Sequence, residues 1–173
     1  MDTATIRRHL EECHRDCYAW TLSCCDRNST EADDVLQTAY LKVLDGRARF
    51  DGRSSFRTWL FGVIRHTAAD ERRRTIAQRI RHAVLGHEIP APDDSASRTE
   101  LGERRAALRD ALLSLPRRQR EVLLLVFYHG LTIHESANVL GIGLGSARTH
   151  YERGKSRLRE LLAELQSVGG VHD

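Results

Sequence analysis

Between about residues 76 and 98 the chain loses its apolar periodicity, and "GHEIPAPDDSAS" offers glycine, two prolines, serines and acids where a core would need apolar side chains. This interruption constrains the fold more than any other feature. It predicts two bodies, 1–75 and 99–173, joined by a flexible linker at 76–98, each burying a small core of its own.

On both sides the apolar positions recur at helical spacing. Ile6, Leu10, Cys13, Cys17, Trp20 and Cys24 predict one amphipathic helix over residues 5–25. A second begins near "STEADD", with Ser29 or Thr30 as its cap, and buries Val35, Leu36, Ala39, Tyr40 and Val43 up to Gly46. After the polar loop "RARFDGRSSF", Phe56, Leu60, Val63, Ile64 and Thr67 mark a third helix that runs into "DERRRT". In the second body, Leu101, Leu108, Leu112 and Leu115 lead to Pro116, which can open the next helix because the first turn tolerates a missing N–H. That helix carries Val122, Leu123, Leu125, Val126 and Tyr128 and stops at Gly130. With only three prolines and no strand pattern, the fold class is all-α.

The stretch "GLTIHESANVLGIGLGSARTHYERGKSRL", residues 130–158, has a shape of its own. Thr132 can cap a short helix from Ile133 to Leu140, with Glu135 completing a capping box, and Gly141 and Gly143 permit a sharp turn. The following helix would bury Leu144, Ala147, Tyr151 and Leu158, turning Ser146, Arg148, Thr149, Glu152, Arg153 and Lys155 away from the core. This is a helix-turn-helix pattern. Between Arg148 and Arg159 there are five Lys or Arg and one acid, a far more cationic face than the formal net charge of +3 suggests. Arginine can pair with a guanine edge and Thr, Ser and Lys with bases or phosphates, so the face suits the major groove of duplex DNA.

Two fragments mimic nucleotide-binding loops without their context. "GKS" at 154–156 lacks the first glycine, whose place is taken by Thr149, and "GIGLG" at 141–145 has the wrong glycine spacing and follows a helix. No nucleophile and base arrangement can be assembled, so the sequence predicts a protein that is not an enzyme and needs no cofactor. No apolar run approaches the ~18 residues of a membrane span, and the N-terminus lacks a signal peptide's apolar core, which predicts a cytoplasmic protein without membrane insertion.

The four cysteines all lie in the first quarter of the chain, unlike a disulfide framework. His9, Cys13 and Cys17 are four apart, and with Cys24 one helical face could offer soft metal ligands or a redox sensor. The same positions coincide with the apolar stripe, where cysteine packs as a small hydrophobe.

Three segments, in order, resemble one family. "FDGRSSFRTWLFGVIRHTAADERRR" (50–74) is similar to the promoter-recognition region of extracytoplasmic-function sigma factors, and "EADDVLQTAYLKVL" (31–44) to their core-polymerase-binding helix. "LPRRQREVLLLVFYHGLTIHESANVLGIGLGSARTHYERGKSRLREL" (115–161) resembles the region that reads their upstream promoter element.

The resemblance implies a factor that joins core RNA polymerase, recognises promoter DNA and directs opening and initiation, often under control of an anti-sigma factor. It implies that Phe50, Asp51, Gly52, Arg53 and Ser54 surround an extruded base of the unpaired strand. Arg65, His66, Arg72, Arg73 and Arg74 would hold its upstream edge. Asp33, Asp34, Gln37, Tyr40, Leu41 and Lys42 would meet the polymerase, and the linker would thread toward its active-site channel.

Phe50 is either a stacking platform or a loop residue folded back on the core, and Phe56 and Trp59 read as core. Three positions depart from the family: His66 stands where Asn is usual, Gly143 where Pro is common, and Glu152 adds a carboxylate that would either accept from cytosine or repel phosphate. The rival reading is a free-standing helix-turn-helix regulator that binds duplex DNA without polymerase, with metal or redox sensing through the cysteines.

Overall fold

The computed structural model describes residues 2–83 and 100–169, which hold seven helices and no strand, in two compact units, Met1–Pro92 and Asp93–Asp173. Residues 84–99, most of the expected linker, lie outside the described residues.

The first unit packs three helices on one another: α1 (Thr3–Cys24), α2 (Ser29–Leu44) and α3 (Phe56–Ala83). Asp2 caps α1 by accepting from the Thr5 N–H at 3.1 Å. The cap of α2 is Asn28, which accepts from the Glu31 N–H at 3.0 Å, rather than the expected Ser29 or Thr30, which fall inside the helix. The turn before it passes through left-handed Asp26 and Arg27, so the first residue free to cap is Asn28. At the head of α3, Ser55 Oγ accepts from the Thr58 N–H at 3.1 Å.

Trp20 anchors this core. Fully buried, its ring stacks on Phe61 at 5.8 Å, and its indole N–H donates to the Phe61 carbonyl at 3.0 Å, so its one polar atom is satisfied where no water reaches. Cys17, Cys24, Val35, Leu36, Ala39, Val43, Leu60 and Ile64 fill the space around it. Tyr40, expected in that stripe, is only half-buried, because its ring reaches the surface beside His14. α3 runs on to Ala83, so the first eight positions of the expected linker are helical. Arg73 pairs with Asp70 and Arg74 with Glu71, both three apart, which supports the exposed helix where its apolar stripe ends.

The second unit is built on α7 (Leu144–Gly169), against which α4 (Glu100–Ser114), α5 (Arg117–Leu123) and α6 (Ile133–Leu140) all pack. On α4, Ala111 rather than Leu108 meets the core, and Leu115 follows it inside. Pro116 stands at the N-cap of α5, where its missing donor costs nothing.

α5 then widens into a π-helical turn over Leu124–Tyr128. That wider turn shifts the phase of every later side chain. Tyr128, expected inside, is 71 % exposed, and His129 is buried in its stead.

Thr132 and Glu135 cap α6 reciprocally, as the capping box requires: the Thr132 hydroxyl accepts from the Glu135 N–H at 3.1 Å and the Glu135 carboxylate from the Thr132 N–H at 2.8 Å. Gly141 ends the helix at φ +60°, a left-handed cap that an L side chain would strain. Among the described residues no helix is long and apolar enough to cross a membrane.

Candidate nucleic-acid interface

α6, the Gly141 turn and α7 form the helix-turn-helix, and the side chains buried beneath it decide which face of α7 is presented. Ala147 is fully buried, and Leu144, Tyr151 and Leu158 are partly so. Gly154 is buried as well: a Cβ there would lie 3.0 Å from Gln119 Cβ and 3.1 Å from Leu123 Cδ1. The "GKS" fragment thus contains a close approach of α5 to α7. The bare backbone of Gly154 lets the two helices touch.

With that side inward, Ser146, Arg148, Thr149, Glu152 and Arg153 are all exposed on the opposite side. Thr149 turns its hydroxyl back to donate to the Gly145 carbonyl at 3.0 Å. Lys155 lies at the flank, half-buried, its ammonium 5.4 Å from the centre of the Tyr151 ring, which in turn stacks on Phe127 at 5.8 Å. Lys155 therefore lies at the border of this exposed face.

Among the described residues Arg148, Glu152 and Arg153 make no ion pair. This contrasts with Arg157, whose guanidinium meets Glu160 at 3.0 Å, and with Arg117 and Arg118, which meet the buried Glu121 at 2.9 and 3.1 Å.

In the first unit the loop before α3 holds the residues expected around an unpaired base. Phe50 folds back: it meets Phe56 edge to face at 5.5 Å and Trp59 at 5.4 Å, in a cluster completed by the His9 ring stacked on Phe56 at 5.1 Å. Asp51, Gly52 and Arg53 are exposed and Ser54 half-exposed. Gly52 takes φ +75°, and Asp51 accepts from the Arg53 N–H at 3.2 Å while its carboxylate lies 3.4 Å from the Arg53 guanidinium. The loop therefore presents polar side chains on an aromatic foundation.

The cationic residues of α3 divide. Arg65 is 9 % exposed, inside the unit, so it is not presented to a phosphate. Arg72 donates to the Cys24 carbonyl at 2.7 Å and lies 3.5 Å from Asp26, so it ties α3 to the end of α1. His66, Arg73 and Arg74 remain exposed. The pairs of Arg73 with Asp70 and Arg74 with Glu71 are surface pairs, worth about 0–1 kcal/mol, and give way readily to a phosphate. Sequence reasoning could not tell these arginines apart, because a basic run carries no sign of which member folds back.

On α2, Asp33, Asp34, Gln37 and Leu41 are exposed and share one side of the helix with Leu44. Leu41 is 46 % and Leu44 37 % exposed, an apolar edge on an acidic surface. The sequence reading passed over Leu44, whose signal was its spacing of three from Leu41. Burial raises the Tyr40 hydroxyl well above its ordinary range, and it sits 3.2 Å from His14 Nδ1. Lys42 is directed toward α3, reaching Thr67 Oγ1 at 3.1 Å and Asp70 at 3.6 Å.

The cysteine cluster does not assemble a metal site among the described residues. Cys17 and Cys24 are core side chains, and His9 is occupied by Phe56 and by Glu12 at 3.2 Å. Burial pushes the Cys17 thiol up to about 12, the opposite of what a reactive or metal-binding thiolate needs.

Residues 6–78 match the family model for Sigma-70 region 2, and residues 105–158 that for Sigma-70, region 4. The chain is 34 % identical over 160 residues to the ECF RNA polymerase sigma factor SigX of Bacillus subtilis (strain 168), covering 87 % of this chain and 81 % of that protein. It is 34 % identical over 143 residues to the RNA polymerase sigma factor CarQ of Myxococcus xanthus, covering 81 % and 79 %. In fold it is similar to the sigma factor RpoE in its complex with the anti-sigma factor NepR from Bartonella quintana. The TM-score is 0.71 at 21 % identity, over 91 % of this chain and 96 % of that one. It is also similar to CnrH in complex with the cytosolic domain of CnrY, with a TM-score of 0.66 at 20 % identity over 94 % and 90 %.

Proposed function

The chain belongs to the sigma-70 family, among its extracytoplasmic-function members, and directs promoter-specific transcription initiation by RNA polymerase, and on that premise we propose how its surfaces divide the work. Residues 99–173 read the intact upstream, minus-thirty-five element through α7. Residues 1–75 join the polymerase and handle the unpaired minus-ten element, with 76–98 between them.

The observation that carries the duplex reading is the outward face of α7, where Arg148 and Arg153 are exposed and unpaired among the described residues, facing away from buried Ala147 and Gly154. Arginines in that condition meet guanine edges without first breaking an internal bond. Phe127 and Tyr151 support the flank, and Lys155 adds a phosphate contact there.

On the first unit, Asp33, Asp34, Gln37, Leu41 and Leu44 form the polymerase-facing side of α2, an apolar edge within a polar rim, with half-buried Tyr40 at its border. The loop Asp51, Gly52, Arg53 and Ser54 receives an unpaired base by hydrogen bonding, since Phe50 is committed to Phe56 and Trp59. His66, Arg73 and Arg74 hold the phosphates beside it. The protein acts in the cytoplasm as a binding factor and catalyses no reaction of its own.

An anti-sigma factor is a further partner. The solved RpoE and CnrH structures each contain a second protein, named an anti-sigma factor for RpoE, and a similar partner would hold this chain away from polymerase. A free-standing regulator would leave the region 2 match over residues 6–78 without a task.

The test is reconstitution of the full chain with core RNA polymerase on promoter DNA. Initiation at defined starts that requires both components supports the reading, and equal initiation without the chain refutes it. Arg148→Ala and Arg153→Ala should each lower discrimination at the upstream element, by about 1–3 kcal/mol for a lost bidentate base contact. Unchanged discrimination in both would remove α7 as the reading helix.

A further inference from the structure

The assignment of Glu152 rests on α7 being the helix that enters the upstream duplex. Glu152 is exposed on the reading face, in a stretch whose other charged residues are cations, and no described neighbour neutralises it. Arg148, one turn earlier, and Arg153, the next residue, make no pair with it. Thr149 donates to the Gly145 carbonyl, Lys155 is drawn over Tyr151, and Arg157 is held by Glu160. Every nearby donor is either engaged elsewhere or unpaired.

A carboxylate in the major groove is repelled by the phosphates on both walls, so it is tolerated only where it accepts a hydrogen bond. Base edges there offer few donors. Guanine presents O6 and N7, both acceptors, and thymine presents O4 and a methyl group. Only the amino groups of cytosine and adenine donate. The neighbouring arginines choose between these two. Opposite adenine stands thymine, with one acceptor; opposite cytosine stands guanine, whose O6 and N7 match a guanidinium bidentately. Residues 148 and 152 are separated by about 6 Å along the helix and lie on nearly the same side. Base pairs are spaced by ~3.4 Å, so the two positions lie less than two steps apart, a separation that a long arginine side chain can close to reach the same pair.

We infer that Glu152 is a specificity-determining residue that accepts a hydrogen bond from the amino group of a cytosine in the upstream element, with the guanine paired to that cytosine held by Arg148. The carboxylate excludes guanine and thymine from its position, and the arginine disfavours adenine there. Glu152 thus narrows the set of promoters rather than strengthening binding to all of them.

The experiment uses the full chain with core polymerase on promoters in which each upstream base pair is permuted in turn, read by competitive initiation. The wild-type protein should prefer cytosine at one position by roughly 5- to 150-fold. Glu152→Ala should abolish that preference alone, leaving the others intact and raising initiation from mismatched promoters. Glu152→Gln, which gains a donor, should move the preference at that position toward adenine, which Asn and Gln pair bidentately. A Glu152→Ala protein that initiates with every preference unchanged overturns the inference, as does a wild-type preference for adenine at the position Glu152 controls. Neither result touches the sigma-factor reading, which fails only if the wild-type chain supports no promoter-dependent initiation.

Discussion

Gly154→Ala should destabilise the second unit, although alanine is the better helix former. Two opposing effects decide the sign. In the middle of α7, alanine gains about 1 kcal/mol over glycine from helix propensity. Against this, the added methyl would lie 3.0 Å from Gln119 Cβ, 3.1 Å from Leu123 Cδ1 and 3.4 Å from the Gln119 carbonyl oxygen. Leu123 Cδ1 can swing aside, but Gln119 Cβ is fixed to the backbone, so α5 and α7 must separate. Overpacking of this kind costs about 1–3 kcal/mol, leaving a net loss of roughly 0–2 kcal/mol.

Gly62→Ala in α3 is the control, because a Cβ there meets nothing within 4 Å and only the propensity gain remains. The two substitutions should therefore differ by about 1–3 kcal/mol, the overpacking cost alone. The assay separates the units without cutting the chain: the two tryptophans, Trp20 and Trp59, are both in the first unit. Urea unfolding followed by tryptophan emission reports on that unit, and far-ultraviolet circular dichroism on both. At slopes of ~1–3 kcal/mol/M, a loss of about 1 kcal/mol lowers a midpoint by about 0.3–1 M. Gly154→Ala should shift the dichroism transition down and leave the emission midpoint in place; Gly62→Ala should raise the emission midpoint. If the Gly154 variant is as stable as Gly62→Ala relative to wild type, the close approach of α5 to α7 is not what the glycine serves.

Trp20→Phe removes the indole N–H and its bond to the Phe61 carbonyl, which lies inside α3, at a cost of about 0.5–1.5 kcal/mol for the bond itself. Emission from the remaining Trp59 during urea unfolding measures it, and an unshifted midpoint would show the bond to be dispensable. Alkylation at pH 8 should label half-exposed Cys13 first and leave Cys17, Cys24 and Cys25 slow until the protein unfolds. Because burial raises the Cys17 thiol to about 12, it stays protonated and unreactive through neutral and mildly alkaline pH, with thiolate growing only as pH nears that value. Equal labelling of Cys13 and Cys17 in the native protein would contradict the packing.

What the sequence disclosed was whatever has a local cause. Thr132 and Glu135 stand three apart before an apolar run, and Gly141 follows it, so both ends of α6 could be read from neighbours alone. Phase carried the buried stripe of α7, and Gly154 was present in it, three residues after Tyr151 and four before Leu158, though a glycine in a charged run reads first as a loop fragment. The π-helical turn at Leu124–Tyr128 could not be anticipated, because its residues are ordinary helix formers and the insertion is set by packing around it. It turned Tyr128, expected inside, outward and brought His129 in. Nor could Arg72 be separated from Arg73 and Arg74, since the difference is made by Cys24 and Asp26, more than forty residues earlier in the chain, and the burial of Arg65 is likewise a product of the packed unit.

The same distinction bears on how, in the proposed function, the loop before α3 would hold an opened strand without an energy source. Unstacking a base costs a few kcal/mol, and an ordered pocket returns a comparable amount only if its own ordering has already been met by folding. Phe50 meets part of that cost by joining Phe56 and Trp59, which fixes the loop's base. Asp51 meets more of it by accepting from the Arg53 N–H, a local turn that exists before DNA arrives. The base-edge hydrogen bonds proposed for Asp51, Arg53 and Ser54 would then add to a preformed loop, and their sum would have only to exceed unstacking. On this argument Phe50→Leu, which keeps an apolar filler, should retain most promoter opening, whereas Asp51→Ala should lose it while duplex binding through α7 persists.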